Sequence, residues 1–193
     1  MSATTRQAAT AARKDQIIRA AIALLAERGY QATTFEAICD KAGLSSKRLI
    51  TYHFSSKDEL FTAIADQIVT HAGAHMQPAL DAATGARELL AALIRANVAF
   101  MASHLEQMRA LQQIILNGDR AWDRHHLESL NRLADLFDNG QRTGAFRPCN
   151  SQIMAAALRA SLDSTYGLLS AGLDAERCAN ELVELFDRAT RPA

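Results

Sequence analysis

Apolar residues recur along this chain at spacings of three and four and almost nowhere alternate, so helices are expected throughout. Ile17, Ala20, Ala21, Leu24 and Leu25 line one face of a first helix over 14–28, which Gly29 stops. A short second helix follows Thr33-Thr34, because either threonine can cap it and Thr33 and Glu36 have capping-box spacing, and it ends at Gly43. Ser45 or Ser46 caps a third reaching Tyr52, and Ser56 caps a fourth from Lys57 to the Gln77-Pro78 break. Thr84 caps a fifth ending near Ser103, and a sixth covers 104–116. Leu127, Leu130, Leu133, Ala134 and Phe137 mark a seventh ending near Gly140. Asn150 or Ser151 opens an eighth reaching Ala171, and Asp174 caps a last one reaching Thr190. The fold class is all-α with about nine helices. Residues 1–13 carry no periodic stripe and read as a disordered N-terminal arm.

Helices two and three have the form of a helix-turn-helix. Phe35, Ile38, Ala42, Leu44, Leu49 and Ile50 can knit them together across a turn in which Gly43 supplies a positive φ. Ser46, Lys47, Arg48 and Thr51 are left outward, and short polar and basic side chains on an exposed helix suit base edges and phosphates. An ordinary solvated helical hairpin is the alternative. Charge favours the first reading. The chain is formally neutral, but residues 1–57 hold nine Lys/Arg against four acids, and the acidic excess lies beyond. Composition adds 49% hydrophobic residues with only 3 Pro, which suits helices. No uncharged apolar run approaches membrane-spanning length and 1–13 has no apolar signal core, so a cytoplasmic protein without membrane contact is expected. Cys39, Cys149 and Cys178 lack metal-ligand spacing and fit reduced thiols.

Gly29-Tyr30, Thr33-Thr34, Ile38-Cys39, Ala42-Gly43-Leu44-Ser45, Phe54 and Ser56-Lys57 through Leu60 stand at the spacings of a known pattern. The segment 14–60 resembles the DNA-binding domain of the TetR (tetracycline repressor) family. Its one departure is an extra residue between Gly43 and Phe54, so Thr51 stands where the family has Tyr and Tyr52 is shifted. The resemblance implies a helix-turn-helix DNA-binding domain over 14–60 and a helical-bundle ligand-binding and dimerisation domain over 61–193. It implies phosphate contacts from Thr33 or Thr34 and from Lys57. Ser45, Ser46, Lys47, Arg48, Thr51, Tyr52 and His53 would then face the major groove or its walls. The partners implied are double-stranded DNA with a palindromic operator, a second copy of the chain, and an unidentified small-molecule effector.

The C-terminal part carries no ligand signature of its own. On the eighth helix Ile153, Ala156, Ala157, Ala160, Ser164, Gly167 and Ala171 form one stripe, while Met154, Leu158, Leu162 and Leu169 form another. Two apolar faces imply two partners, so the small-residue stripe, with Cys178, Leu182 and Leu185 of the last helix, is the expected dimer contact. A single-chain core is the alternative. Phe100, Met101, His104, Met108, Leu111, Trp122, His126 and Tyr166 are candidate pocket residues, on helices that the family places around its cavity. His71 and His75 have zinc spacing, and His125-His126 sit near Asp123 and Glu128, but the sequence places no third ligand in space beside either pair; no metal and no cofactor are expected. No nucleophile elbow, phosphate loop or paired carboxylate appears, so no enzyme is expected. The favoured function is a transcriptional repressor released from its operator by an effector. An effector-independent architectural DNA-binding dimer is the alternative.

Overall fold

The computed structural model describes residues 3–117 and 120–192, with side chains described over 7–117 and 122–192. Among the described residues there are nine helices: α1 (Ala3–Ala32), α2 (Phe35–Lys41), α3 (Arg48–His53), α4 (Lys57–Ala82), α5 (Ala86–Ser103), α6 (Leu105–Leu116), α7 (Arg120–Arg142), α8 (Ser151–Ser170) and α9 (Ala175–Thr190). They divide into two compact units. The first is Met1–Ile68 with Glu106–Trp122; the second is Val69–Leu105 with Asp123–Ala193. The expected boundary after residue 60 falls inside α4, whose Leu60, Phe61, Ile64, Ala65 and Ile68 are all buried and continue the core of the first unit.

In the first unit, α1 packs on α2, with Ile17, Ala21, Leu24 and Leu25 buried as their spacing predicts. The expected disordered arm is corrected: residues from Ala3 onward are helical and continuous with α1. The segment 3–13 is alanine-rich and free of Gly and Pro, so the packed part of α1 supplies the costly nucleus and the helix propagates backwards at little cost. At the other end Gly29 takes φ 79, ψ 179 and breaks the helical path. A Cβ there would stand 3.2 Å from Gln113 Oε1 of α6, so both conformation and space favour glycine.

In the second unit, α5 packs against α8 and α9. Leu90, Ile94 and Val98 of α5, Phe137 of α7, Leu158, Leu162 and Leu169 of α8 and Phe186 of α9 are buried. Asn150 and Asp174 cap α8 and α9 through side-chain oxygens that accept from Ile153 N–H and Arg177 N–H. Arg147 closes the far end of α9, donating its backbone N–H to Thr190 C=O at 2.8 Å and Nε to Ala189 C=O at 2.7 Å. The expected break at Gln77-Pro78 is corrected: α4 runs through Pro78 to Ala82. Ala74 and Pro78 are both exposed, so water can satisfy the carbonyl that proline leaves without a donor, and Gln77 Nε2 bonds Asp81 across the same turn at 2.7 Å.

Candidate nucleic-acid interface

The turn between α2 and α3 is built by its backbone. Gly43 takes φ 62, its N–H donates to Asp40 C=O at 3.2 Å, and Leu44 N–H donates to Cys39 C=O at 3.0 Å. Cys39 Sγ donates in turn to Leu44 C=O at 3.3 Å, which gives this buried thiol a structural task. Gln16 of α1 donates Nε2 to Ala42 C=O at 2.7 Å and so registers the first helix against the turn. Ile38, Leu44 and Ile50 are buried and Phe35, Ala42 and Leu49 half-buried, the knitting expected of these positions. On the opposite side of α3, Arg48, Thr51 and Tyr52 are exposed, with Ser45, Ser46 and Lys47 beside them; Tyr52 is 78% exposed.

These side chains differ in freedom. Lys47 pairs with Glu36 of α2, which holds the Glu36 carboxyl below its ordinary range. The Arg48 guanidinium has no partner among the described residues, while its backbone N–H donates to Ser46 Oγ at 3.1 Å. Thr51 bonds Arg48 C=O, and the half-buried His53 ring stands edge-on to Tyr52 at 5.1 Å. Thr34 caps α2 by accepting from Ala37 N–H and stays exposed. Thr33 is a correction: it is fully buried, and its hydroxyl donates to Gly29 C=O at 2.8 Å, closing the break after α1, so no phosphate can reach it. Lys57 is partly committed as well. Its ammonium donates to Tyr30 C=O at 2.7 Å and lies 4.2 Å from the Tyr30 ring centre and 5.1 Å from that of Phe61. Burial lowers its pKa. Tyr30 N–H meanwhile donates to Gln113 Oε1 of α6 at 3.3 Å, so this one peptide segment is tied to both α4 and α6.

The same segment decides the relationship. Residues 17–64 match the family described as bacterial regulatory proteins, tetR family. Over these residues the chain carries a domain of the tetR-family type. Relatives include the HTH-type transcriptional repressor KstR2 of Mycolicibacterium smegmatis, 32% identical over 111 residues, which cover 58% of this chain and 51% of that one. The HTH-type transcriptional activator FasR of the same organism is 36% identical over 84 residues, 44% of this chain and 38% of that one. The chain thus spans about half or less of these curated relatives. Over 90% of this chain and 97% of that one the fold is that of AibR, solved in complex with isovaleryl coenzyme A and operator DNA, with a TM-score of 0.76 at 19% identity.

Beyond the TetR-family domain, the expected stripe on α8 lies outside the core of the chain. Ile153, Ala156, Ala157, Ala160, Ser164, Gly167 and Ala171 are all exposed, Ile153 by 67%, and Leu185 of α9 is exposed with Leu182 half-buried. Cys178 is a correction: it is buried in its own unit, where burial pushes its thiol pKa up, so it cannot belong to an outer face. The pocket candidates divide between the units. Met108, Leu111 and Trp122 lie in the first; Phe100, Met101, His104, His126 and Tyr166 lie in the second. Phe100 and Met101 are buried, and Met101 Sδ stands 3.8 Å from Thr165 Oγ1. Leu111 is also buried, whereas Met108, His104, Trp122, His126 and Tyr166 are half-buried. Around Phe100 the fold gathers three imidazoles that sequence spacing leaves scattered: His104 stacks on it at 4.3 Å, and His71 and His75 each stand 5.5 Å away. Among the described residues no group of three donors holds metal-binding geometry, and no single helix is long and apolar enough to cross a membrane.

Proposed function

We propose that this TetR-family chain is a cytoplasmic, DNA-binding transcriptional regulator, working as a homodimer on a palindromic operator and released from it by a small-molecule effector. The observation that carries the reading is the outward face of α3, where Arg48, Thr51 and Tyr52 are exposed on a short helix whose opposite side is locked into the core. An Arg fork there can satisfy guanine O6 and N7 together, and Thr and Tyr hydroxyls suit bases or phosphates. Thr34, Ser45, Ser46 and Lys47 flank it on the phosphate side. The exposed small-residue stripe of α8 with Leu182 and Leu185 supports a second copy as partner. An effector is supported by the AibR complex, which holds both a ligand and DNA on this fold; here it would touch side chains such as Phe100, His104 and Tyr166. The DNA contacts belong to 14–60 and the dimer and effector contacts to 61–193.

Random-sequence selection with purified protein tests the reading. The expected product is an inverted repeat with half-sites about one helical turn, 34–36 Å, or a multiple of it apart. A pool with no enrichment over the unselected library would sink it. An inverted repeat bound equally at every effector-library concentration would instead favour an architectural dimer.

A further inference from the structure

We infer that the effector is an organic anion, whose carboxylate or phosphate head is held by Arg159 of α8 and whose body lies against Phe100 of α5. The inference rests on the effector reading above and names the chemical class of the ligand. The Arg159 side chain is only 15% exposed, and its Nε is buried and meets no acceptor among the described residues. Asp163, one turn on and half exposed, accepts from Nη2. A buried donor without an acceptor is costly, and this one serves no contact within the described chain. A guanidinium so placed matches the oxygens of a carboxylate or a phosphate; a neutral ligand would use it less well, and a cation would be repelled.

The packing of α5 gives the direction in which Arg159 points. Met101 meets Thr165 of α8 at 3.8 Å. On one flank of that contact Arg87 and Arg95 reach Asp187 and Asn180 of α9. On the other, Asn97 donates to Met76 Sδ of α4 at 3.1 Å, and Phe100 meets His71 and His75. Arg87 pairs late in α9 and Arg95 early, so α5 and α9 are antiparallel, and α8, which turns back into α9 through 171–174, runs parallel to α5. In that direction a turn of about 100° per residue carries Tyr166, and Arg159 seven positions before it, to the α4 flank. Arg159 lies about 9 Å along the axis from Thr165, at 1.5 Å per residue. A charged end at Arg159 and a ring-lined end, where His104 stacks on Phe100 at 4.3 Å, therefore share one side of the α5 and α8 pair. That spacing suits a small acid with an apolar body.

The probes are octanoate, octyl phosphate, octanol and octylamine, which share one apolar body and differ in the head. Binding to the full-length chain is measured by titration calorimetry, and release of the best site from selection by fluorescence anisotropy. We expect octanoate or octyl phosphate to bind at least about tenfold more tightly than octanol or octylamine, and the tighter of the two tells which head the site takes. Arg159→Gln should weaken the anion by about tenfold or more with helix content kept. Asp163→Asn, which removes the competing carboxylate, should tighten it. Arg159→Met removes the buried donor and keeps an unbranched stem, so the denaturation midpoint of the free chain should hold or rise while anion binding is lost. Octanol or octylamine binding as tightly as the anions, no probe binding at all, or Arg159→Gln binding the anion like the parent chain would each overturn the inference. Anions that bind through Arg159 without releasing DNA would leave the anion site standing and sink the effector reading instead.

Discussion

Two helices of this chain turn a face away from their own core, and the two faces are opposites. That of α3 is short and carries Arg48, Thr51 and Tyr52, while that of α8 is long and carries alanines, Gly167 and Ile153. Polar side chains on a surface need no partner, because water already satisfies them. An apolar stripe continued by Leu185 on α9 has no such resting state, since contiguous exposed apolar surface marks an interaction site. The first face is therefore read through chemistry, by what its groups could grip, and the second through area, by what would cover it. Small residues add that the cover comes close, since they let backbones approach.

The contrast breaks first at α8. Ala160 is exposed in the single chain, so Ala160→Arg should leave the fold of one subunit intact. In a dimer that covers the stripe, the same charge would be buried without a partner, at a cost of several kcal/mol. We expect the dimer dissociation constant to rise at least about a hundredfold, about 2.7 kcal/mol, with little change in helix content. Sedimentation velocity over a concentration series measures it. A variant with the dimer mass and concentration dependence of the parent chain would move the interface off this face.

At α3 the comparison sharpens to single residues. Lys47 is occupied by Glu36 and the Arg48 guanidinium is not, so in the proposed reading Arg48 is the side chain expected to read a base. Arg48→Ala should cost about 1–3 kcal/mol on the selected site and far less on mixed-sequence DNA. Lys47→Ala should weaken both alike and shallow the salt slope by about 1. Competition binding separates them. If the two variants exchange these behaviours, the extra residue after Gly43 has rotated the reading face by one position, about 100° on a helix.

How much of this was legible beforehand differs between the same two regions. Periodicity and capping residues located α2, α8 and α9 closely, since Thr34, Asn150 and Asp174 each cap the helix that follows. The α8 stripe was legible because burial there follows i, i+3, i+4 spacing within one element. Cys178 was misplaced because a small apolar residue at the edge of two faces fits either, and only the position of α5 decides. Around α3 the residue types were legible and their commitments were not. Thr33 and Thr34 are indistinguishable in sequence, yet one hydroxyl closes the break at Gly29 and the other faces solvent. Nothing local announces that Gln16 reaches Ala42, or that His71, His75 and His104 meet at Phe100, because these contacts depend on how separate helices pack. The arm was missed for a different reason. An apolar stripe marks a packed helix, whereas alanine-rich propagation from a packed neighbour needs no stripe.

Lys57 tests whether a basic residue near α3 serves the DNA or the fold. Its ammonium bonds Tyr30 C=O and lies over the Tyr30 ring, and Tyr30 N–H is held by Gln113, so Lys57 fastens the end of α1 to α4. Lys57→Ala should lower stability by about 1–2 kcal/mol through the lost cation–π contact and charged hydrogen bond. Chemical denaturation with a two-state fit reports it. An unchanged midpoint, together with a salt slope shallower by about 1, would return Lys57 to a phosphate role alone.

The smallest effect lies under the α8–α9 face, in the contacts that orient α9. Asp187 follows the buried Phe186 and the exposed Leu185, so whatever fixes Asp187 helps to fix which side of α9 looks outward. Arg191 bonds one of its oxygens at 2.6 Å, and Arg87 of α5 pairs with the other. The Arg191 hydrogen bond lowers the Asp187 pKa most, burial opposes it, and the nearby Arg87 and Arg191 charges lower it further. With the folded value below the unfolded one, the unfolded chain binds more protons between the two, so stability rises with pH across that window. The contribution is present above the ordinary carboxylate value, near about 3.9. It is lost as pH falls through the depressed folded value. Arg191 is exposed and Arg87 only half-buried, so screening by water keeps the contribution within about 0–1 kcal/mol. Asp187→Asn removes the charge and keeps the shape. The gap in Tm between the parent chain and this variant should be widest from pH 5 to 7, narrow in 1 M salt, and close as pH falls below the ordinary carboxylate range. A gap that stays constant across the whole acid range would mean that Asp187 holds α9 by hydrogen bonding alone, and that its charge plays no part in presenting Leu185 to the outside.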